Sequence, residues 1–159
     1  MAVAFRQADA LALTEGELAR LAGPDPLLVT LLFTLNELYT DAGPARTTAF
    51  LRALARALPS GSLLLVVDSP GSYSEAAVGR DKKRYPMHWL LGHTLLDARA
   101  PGYAWERLES HDSLWFRLPE GLSYPIQLEN MRYQMHLYRI RKPQTVTGAP
   151  GEETENVPV

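Results

Sequence analysis

The stretch that most constrains this chain is Leu27–Tyr39, with the sequence LLVTLLFTLNELY. Its largely apolar part runs from Leu27 to Leu35 and stops abruptly at Asn36 and Glu37. An apolar run that ends at polar residues and leads into a helical pattern is typical of a central parallel strand. In open α/β sheets the binding crevice lies beyond the carboxyl ends of such strands. Asn36 and Glu37 are therefore candidate functional residues, the alternative being a strand end that merely meets water.

Length and composition are compatible with one domain that buries a real core. The chain has 159 residues, is 46% hydrophobic and contains no cysteine, which excludes disulfides, cysteine nucleophiles and cysteine-ligated zinc. No long apolar run and no positive-then-apolar amino terminus is present, so neither a membrane span nor a signal peptide is predicted. The expected compartment is the nucleus, the nucleolus or the cytoplasm. The net charge of -2 creates no global attraction for nucleic acid, although a local basic patch is sufficient for RNA.

The rest of the chain alternates predicted strands with predicted helices, one of which begins with a Thr14/Glu17 capping box. The predicted elements are strand Ala2–Asp9, helix Glu15–Ala22, strand Leu27–Leu35, helix Pro44–Leu58, strand Ser62–Val67, helix Pro86–Asp97, two short strands or one interrupted strand over Trp105–Leu118, and strand Arg132–Ile140.

This order predicts an α/β fold with a mainly parallel sheet, because strands that alternate with helices pair in parallel. The last two strands are joined by a loop rather than a helix, so they should form an antiparallel hairpin at one edge. The segment 141–159 is poor in large apolar residues and rich in Pro, Thr, Gly and Glu, which predicts a disordered tail. The folded part is therefore expected to be 1–140.

Five segments carry a resemblance to a known family through their combination and order. They are LLFTLNELYT (Leu31–Thr40), LLLVVDSPGSYSE (Leu63–Glu75), RYPMHWLLGHTLL (Arg84–Leu96), WFRL (Trp115–Leu118) and YPIQLENMRYQMHLYR (Tyr124–Arg139). As a set they resemble the fungal methyltransferases of large-subunit (25S) ribosomal RNA that modify uridine at N3. The resemblance implies a Rossmann-like class I methyltransferase fold and S-adenosyl-L-methionine as the cofactor. It also implies ribosomal RNA as the partner, rather than DNA or a membrane.

The resemblance covers only part of such a domain. In this fold a strand, a Gly-rich turn and a helix come first and hold the cofactor, and an acid after the second strand holds its ribose. No such stretch precedes Ala2. The resemblance therefore implies the carboxy-terminal part of a methyltransferase domain, incomplete and inactive alone. Its sheet should have a gap where the missing strands belong, and unpaired edges are an association hazard.

The family fold also implies roles for individual residues. Asp9 and Ala10 correspond to the position that meets the cofactor adenine, and Asn36 would also face the cofactor. Asn36 to Tyr39 lie where amino-methylating relatives carry an Asn/Asp-Pro-Pro-Tyr motif, and the departure is compatible with a ring-nitrogen target. Glu37 could accept the N3 proton of uridine, Asn36 could bind its carbonyls and Tyr39 could stack on the base. A surface acid near a helix is the alternative for Glu37.

Cations in the second half of the chain are candidates for phosphate contacts, with an ordinary solvated surface as the alternative for each. They are Lys82, Lys83, Arg84, Arg132, Arg139, Arg141 and Lys142. The tryptophans Trp89, Trp105 and Trp115 are expected in the core rather than as platforms for bases.

Two other functions are open from the sequence. A non-catalytic RNA- or ribosome-binding remnant would keep the fold without the cofactor. A hydrolase would use Ser69 or Ser72 with His88 or His93, but the nucleophile-elbow pattern G-x-S-x-G is absent. The four histidines show no metal-ligand spacing, so no metal site is predicted.

Overall fold

A computed structural model describes residues 3–71, 73–74, 85–97 and 101–143. π-helical turns at Leu38–Ala42 and His93–Asp97 extend the short helices that precede them, and a 3-10 turn covers Ala10–Ala12. The helices and strands are α1 Glu15–Ala22, β1 Leu28–Leu32, α2 Leu35–Glu37, α3 Gly43–Ala57, β2 Leu63–Asp68, β3 Tyr73–Ser74, β4 Tyr85–Pro86, α4 Met87–Gly92, β5 Ala104–Phe116 and β6 Met131–Arg141.

The main sheet has four strands in the order β1-β2-β6-β5, and β3 pairs with β4 in a separate two-stranded sheet. β1 is parallel to β2, whereas the β2–β6 and β6–β5 pairs are antiparallel. The antiparallel final hairpin is therefore confirmed. The prediction of a mainly parallel sheet is wrong, because one of these three pairings is parallel, and β1 is an edge strand rather than a central one.

The predicted strand Ala2–Asp9 is wrong for the part that the structure describes. Residues 3–9 form no strand and are exposed, with Val3 and Phe5 at 83% and 90%. A strand needs a partner, and the outer edge of β1 does not pair with this segment. The predicted gap in the sheet therefore does not arise, since the four strands are contiguous, but β1 does present an unpaired edge within the described residues.

The apolar run of the first strand is divided between a strand and a helix. β1 ends at Leu32, and Phe33 adopts a left-handed conformation with φ of 53° before α2 begins at Leu35. Leu35 is fully buried, but as a helical residue. The prediction that the strand continues to Leu35 is wrong because an apolar run reports burial and not backbone conformation.

The other predicted elements are confirmed in position. At the start of α1 the Thr14 hydroxyl accepts a hydrogen bond from the Glu17 amide, and the Glu17 carboxylate accepts one from the Thr14 amide. The helices predicted from Pro44 and Pro86 are α3 and α4 with its π-helical extension. β5 is one interrupted strand, with register shifts between Arg107 and Glu109 and between His111 and Leu114.

One face of the sheet forms the core together with the helices. Leu64 and Val66 of β2 and Tyr138 and Ile140 of β6 alternate with less buried neighbours and are at most 1% exposed. They belong to one cluster with buried residues of α3 and α4, including Leu51. Burial of each large apolar side chain stabilises the fold by about 1.5–3 kcal/mol.

The opposite face of the sheet is apolar, and no helix of the described residues covers it. None of its residues on β1, β2 and β6 is buried, and none packs against the core cluster. We call this surface the bare face; its residues are Leu28, Thr30, Leu32, Leu63, Leu65, Val67, Met135 and Leu137. Leu28 and Leu32, next to the unpaired edge, are each 53% exposed.

Candidate active site at the ends of the parallel strands

A buried carboxylate, Asp68, organises the edge at which β1 and β2 end. It is 3% exposed, and its two oxygens accept hydrogen bonds from the backbone amides of Asn36, at 3.0 Å, and Ser69, at 2.8 Å. Hydrogen bonds to an ionised acceptor are stronger than neutral ones. Asp68 therefore fixes the start of α2 against the end of β2.

Asn36 and Glu37 lie in α2, immediately beyond this anchor. Asn36 is half-buried and Glu37 is exposed. The Thr40 hydroxyl donates to the carbonyl oxygens of Asn36, at 3.0 Å, and Glu37, at 3.2 Å, in the turn that follows. The predicted pair is thus held by its backbone at the strand-end edge, with the Glu37 carboxylate on the accessible side.

Tyr39 does not have the stacking role that the family pattern implied. Its side chain is 1% exposed, and its hydroxyl lies 3.5 Å from the Thr94 hydroxyl. Burial raises the pKa of the Tyr39 phenol. The prediction of a base platform at Tyr39 is wrong in this structure, because the helical turn that contains it directs the ring into the core.

A hydrogen-bonded series connects the same edge to the hairpin strands. The Gln134 amide nitrogen donates to the Ser69 carbonyl at 2.7 Å, and its oxygen lies 3.1 Å from Nε2 of His136. Nδ1 of His136 lies 2.9 Å from the Ser110 hydroxyl. A neutral imidazole that donates from Nε2 and accepts at Nδ1 satisfies every contact. The series holds β6 against the residue that follows β2.

Burial makes His136 a pH-dependent element of stability. Burial first, and then the ring of His88 on α4, lower the pKa of His136 to about 4. Among the charged groups of β5, Asp112 raises this pKa slightly, whereas Arg107 and His111 lower it. The unfolded chain takes up this proton near its ordinary pKa of about 6.5, so stability is lost as the pH falls from there towards the lowered pKa. We expect the free energy of unfolding to fall by about 2 kcal/mol between pH 7 and pH 5.

Urea unfolding at the two pH values measures this loss of stability. The same experiment on His136→Gln should show no such loss between pH 7 and pH 5. His93→Gln is the matched control, since His93 is exposed and pairs with Asp97 at 2.9 Å. A wild-type stability that stays constant from pH 7 to pH 5 would contradict the assignment.

Asp9 and Ala10, the predicted adenine contacts, lie beside α3. The Asp9 carboxylate accepts from the Leu11 amide at 3.0 Å and so caps the 3-10 turn, and it lies 3.6 Å from the Arg46 guanidinium. Arg46 belongs to the first turn of α3, whose amino end follows β1 and α2. Asp9 therefore lies near the strand-end side of the molecule, although no strand positions it.

The predicted phosphate contacts are not one patch. Arg132 and Arg139 are at opposite ends of β6, ~24 Å apart at the usual strand rise. Arg139 lies 3.8 Å from Glu106, which also pairs with Arg141 at 3.0 Å. Lys142 donates to a carbonyl of α3, and partial burial lowers its pKa. Lys82, Lys83 and Arg84 lie outside the described residues.

The expectation that all three tryptophans are core residues is correct for one of them. Trp105 is 7% exposed, but Trp89 and Trp115 are 46% and 53% exposed. Trp89 stacks between Tyr85 and His93 on the outside of α4. The guanidinium groups of Arg117 and Arg132 both lie over the Trp115 ring. Sequence reasoning missed Arg117 and Trp115; their alternation in WFRL beside a hairpin loop is the signal that could have indicated them.

The hydrolase alternative gains no support from the described residues. There, no hydrogen bond joins a serine to His88 or His93, and Ser72 is not among those residues.

No cluster of three His, Asp or Glu side chains that could hold a metal ion occurs in the described part of the chain. A groove of about 510 Å³ between α3 and α4 is lined by Tyr39, Arg52, His93 and Asp97, among others, but not by Asn36 or Glu37. None of the helices in these ranges has the length and apolar character needed to span a bilayer.

A mixed α/β domain with polar residues at the ends of its parallel strands is compatible with a methyltransferase. Residues 1–139 match the model of a family described as "Putative SAM-dependent methyltransferase". The chain belongs to this family of S-adenosylmethionine-dependent methyltransferases, as the five sequence segments indicated. It is also similar to the 25S rRNA (uridine(2843)-N(3))-methyltransferase of Saccharomyces cerevisiae, with 35% identity over 140 residues. The match covers 86% of this chain and 37% of that protein, so the chain spans little more than a third of the relative's length.

Proposed function

We propose that this chain forms the substrate side of a methyltransferase that modifies N3 of a uridine in large-subunit ribosomal RNA. The observation that carries the proposal is the Asp68 anchor, which holds Asn36 and Glu37 at the carboxyl ends of two parallel strands in a chain of this family. The relative's specificity for uridine N3 supports the choice of substrate. Ribosomal RNA would be met in the nucleus, the nucleolus or the cytoplasm.

The chemistry of the substrate gives Glu37 its proposed role. Uridine N3 carries a proton that must leave before the nitrogen can attack a methyl group. A carboxylate within hydrogen-bond distance can accept that proton. Glu37 is exposed at the strand-end edge, and the adjacent Asn36 has an amide that can donate to a uracil carbonyl. Asp68 does not touch the base in this proposal; it positions the turn that carries both residues.

The described residues do not form a complete cofactor site. Asp9 and Asn36 could line one side of it, but no Gly-rich turn and no ribose-binding acid accompany them. The unpaired edge of β1 and the bare face support a further part of a Rossmann-like domain that pairs with β1 and covers the sheet. We therefore assign the binding of S-adenosyl-L-methionine chiefly to that part.

A chimeric enzyme tests the function. The matching 140-residue part of the yeast relative is replaced by this chain, and the chimera is expressed in yeast that lacks the original enzyme. We expect 3-methyluridine to reappear in 25S rRNA, measured by nucleoside mass spectrometry. A folded chimera that binds S-adenosylmethionine but leaves uridine unmethylated would contradict the proposal.

The incomplete cofactor site favours one second candidate, a non-catalytic RNA-binding protein of the same fold. On that proposal the isolated chain binds ribosomal RNA, whereas the chimera stays inactive. The two measurements together therefore separate a substrate-binding part of an enzyme from a remnant that has kept only RNA binding.

A further inference from the structure

The hairpin of β5 and β6 extends past the end of the parallel strands. The last residue of β2, Asp68, pairs with Gln134, so the first residues of β6 and their partners on β5 have no neighbour on β2. Trp115 and Arg132 are such a pair, two residues beyond Gln134. With ~3.4 Å per residue, they lie about 7 Å past Asp68 along the strand direction. The overhang thus projects beside the candidate active site.

Trp115 and two arginines form a cluster on this overhang. The guanidinium carbons of Arg117 and Arg132 are 5.3 Å and 5.4 Å from the centre of the Trp115 ring, which is 53% exposed. Arg132 also donates to the Ser113 hydroxyl, which fixes its orientation. Arg132 and Gln134 are two apart on β6 and therefore share a face of the strand. Since Gln134 contacts the residue after Asp68, the cluster lies on the active-site side of the sheet.

The charges of this cluster are not neutralised within the described residues. No carboxylate there pairs with Arg117 or Arg132, whereas Glu106, near the far end of the hairpin, pairs with Arg139 and Arg141. An exposed indole flanked by guanidinium groups presents a flat apolar surface together with positive charge. Single-stranded RNA matches both properties, because its unpaired bases stack on aromatic rings and its phosphates pair with arginine.

We propose that Trp115, Arg117 and Arg132 form a stacking site for an unpaired RNA base next to the candidate active site. One base stacks on the part of the indole that the guanidinium groups leave exposed, and these two groups contact the flanking phosphates. The site holds a nucleotide near the target uridine and so positions the strand. This inference rests on the proposed function for its choice of RNA, but it concerns binding and not methyl transfer.

The test is binding of a labelled single-stranded oligouridylate of about twelve nucleotides to the full chain, measured by fluorescence anisotropy. Trp115→Ala should raise the Kd by about 5- to 150-fold, the usual effect of losing one stacked base. Trp115→Phe should keep most of the affinity, since phenylalanine also stacks. Phe116→Ala is the matched control, because Phe116 is the next residue of β5, is 49% exposed and lies on the opposite face. Equal effects of Trp115→Ala and Phe116→Ala, or no binding by the wild-type chain, overturn the proposal.

Salt dependence tests the arginines separately. Arg132→Gln should reduce the slope of log affinity against log salt by about 0.7, the value for one lost phosphate contact to a single strand. Arg139→Gln, at the other end of β6 and paired with Glu106, should leave the slope unchanged. Equal slopes for the wild type and Arg132→Gln overturn the phosphate contact. Because these assays need no methyl donor, loss of binding and failure of the chimera to methylate uridine are separate results.

Discussion

Glu37→Gln in the chimeric enzyme is expected to lower the rate of methyl transfer to uridine by about 10²- to 10⁴-fold, the usual contribution of a positioned acid or base. Glutamine keeps the shape of the side chain but cannot accept the N3 proton. Glu37 is exposed at the strand-end edge, beside the backbone that Asp68 holds. The measurement is single-turnover transfer to ribosomal RNA at several pH values. The deficit should shrink at high pH, where uridine ionises without help.

Two variants control this experiment. Asp41→Asn removes another exposed carboxylate one helical turn away and should leave the rate unchanged. Asn36→Ala should weaken the positioning of the base and leave the pH response as in the wild type. A Glu37→Gln enzyme with the wild-type rate at neutral pH would exclude Glu37 from the chemistry and make it an ordinary surface acid.

The elements that local signals specify were predictable from the sequence. The Thr14/Glu17 capping box defines the start of α1, and both of its hydrogen bonds form. The loop between the last two strands, with alternating residues on each side, predicts the antiparallel hairpin of β5 and β6. These signals act over a few residues, so the rest of the fold cannot override them easily.

The features that depend on distant partners were not predictable. The apolar run from Leu27 onwards is consistent with a central strand, yet β1 is an edge strand, because β2 alone among the described strands pairs with it. Tyr39 is buried in the core, and no pattern in the sequence marks the left-handed backbone at Phe33 that precedes its helical turn. Likewise, Trp115 is exposed because the hairpin extends beyond β2, and that overhang follows from strand register rather than from composition.

The bare face connects these observations. Along β1 and β2 its residues alternate with residues of the core. The continuous apolar runs of these strands therefore give the sheet two apolar faces, and the described helices cover one of them. Such runs are characteristic of parallel strands buried on both sides. The sequence thus carries the pattern of a doubly covered sheet, and helices of the described residues cover one of its two faces.

Leu64 and Leu65 allow the two faces to be compared directly, because they are adjacent in β2 and differ in which face they occupy. Leu64 is completely buried on the helix side, whereas Leu65 is half-buried on the bare face. Leu64→Ala should lower the free energy of unfolding of this chain by about 2–5 kcal/mol, the cost of a core cavity. Leu65→Ala should cost about 1 kcal/mol in the chain alone, because less apolar area is withdrawn from water there.

The same pair of substitutions in the chimeric enzyme should give a different result. If a further part of the domain covers the bare face, Leu65 becomes a core residue, and Leu65→Ala should then cost nearly as much as Leu64→Ala. Urea unfolding of the four variants measures both differences. A Leu65→Ala cost that is the same in the chain and in the chimera would show that the bare face stays exposed in the longer protein, and would refute a covered sheet.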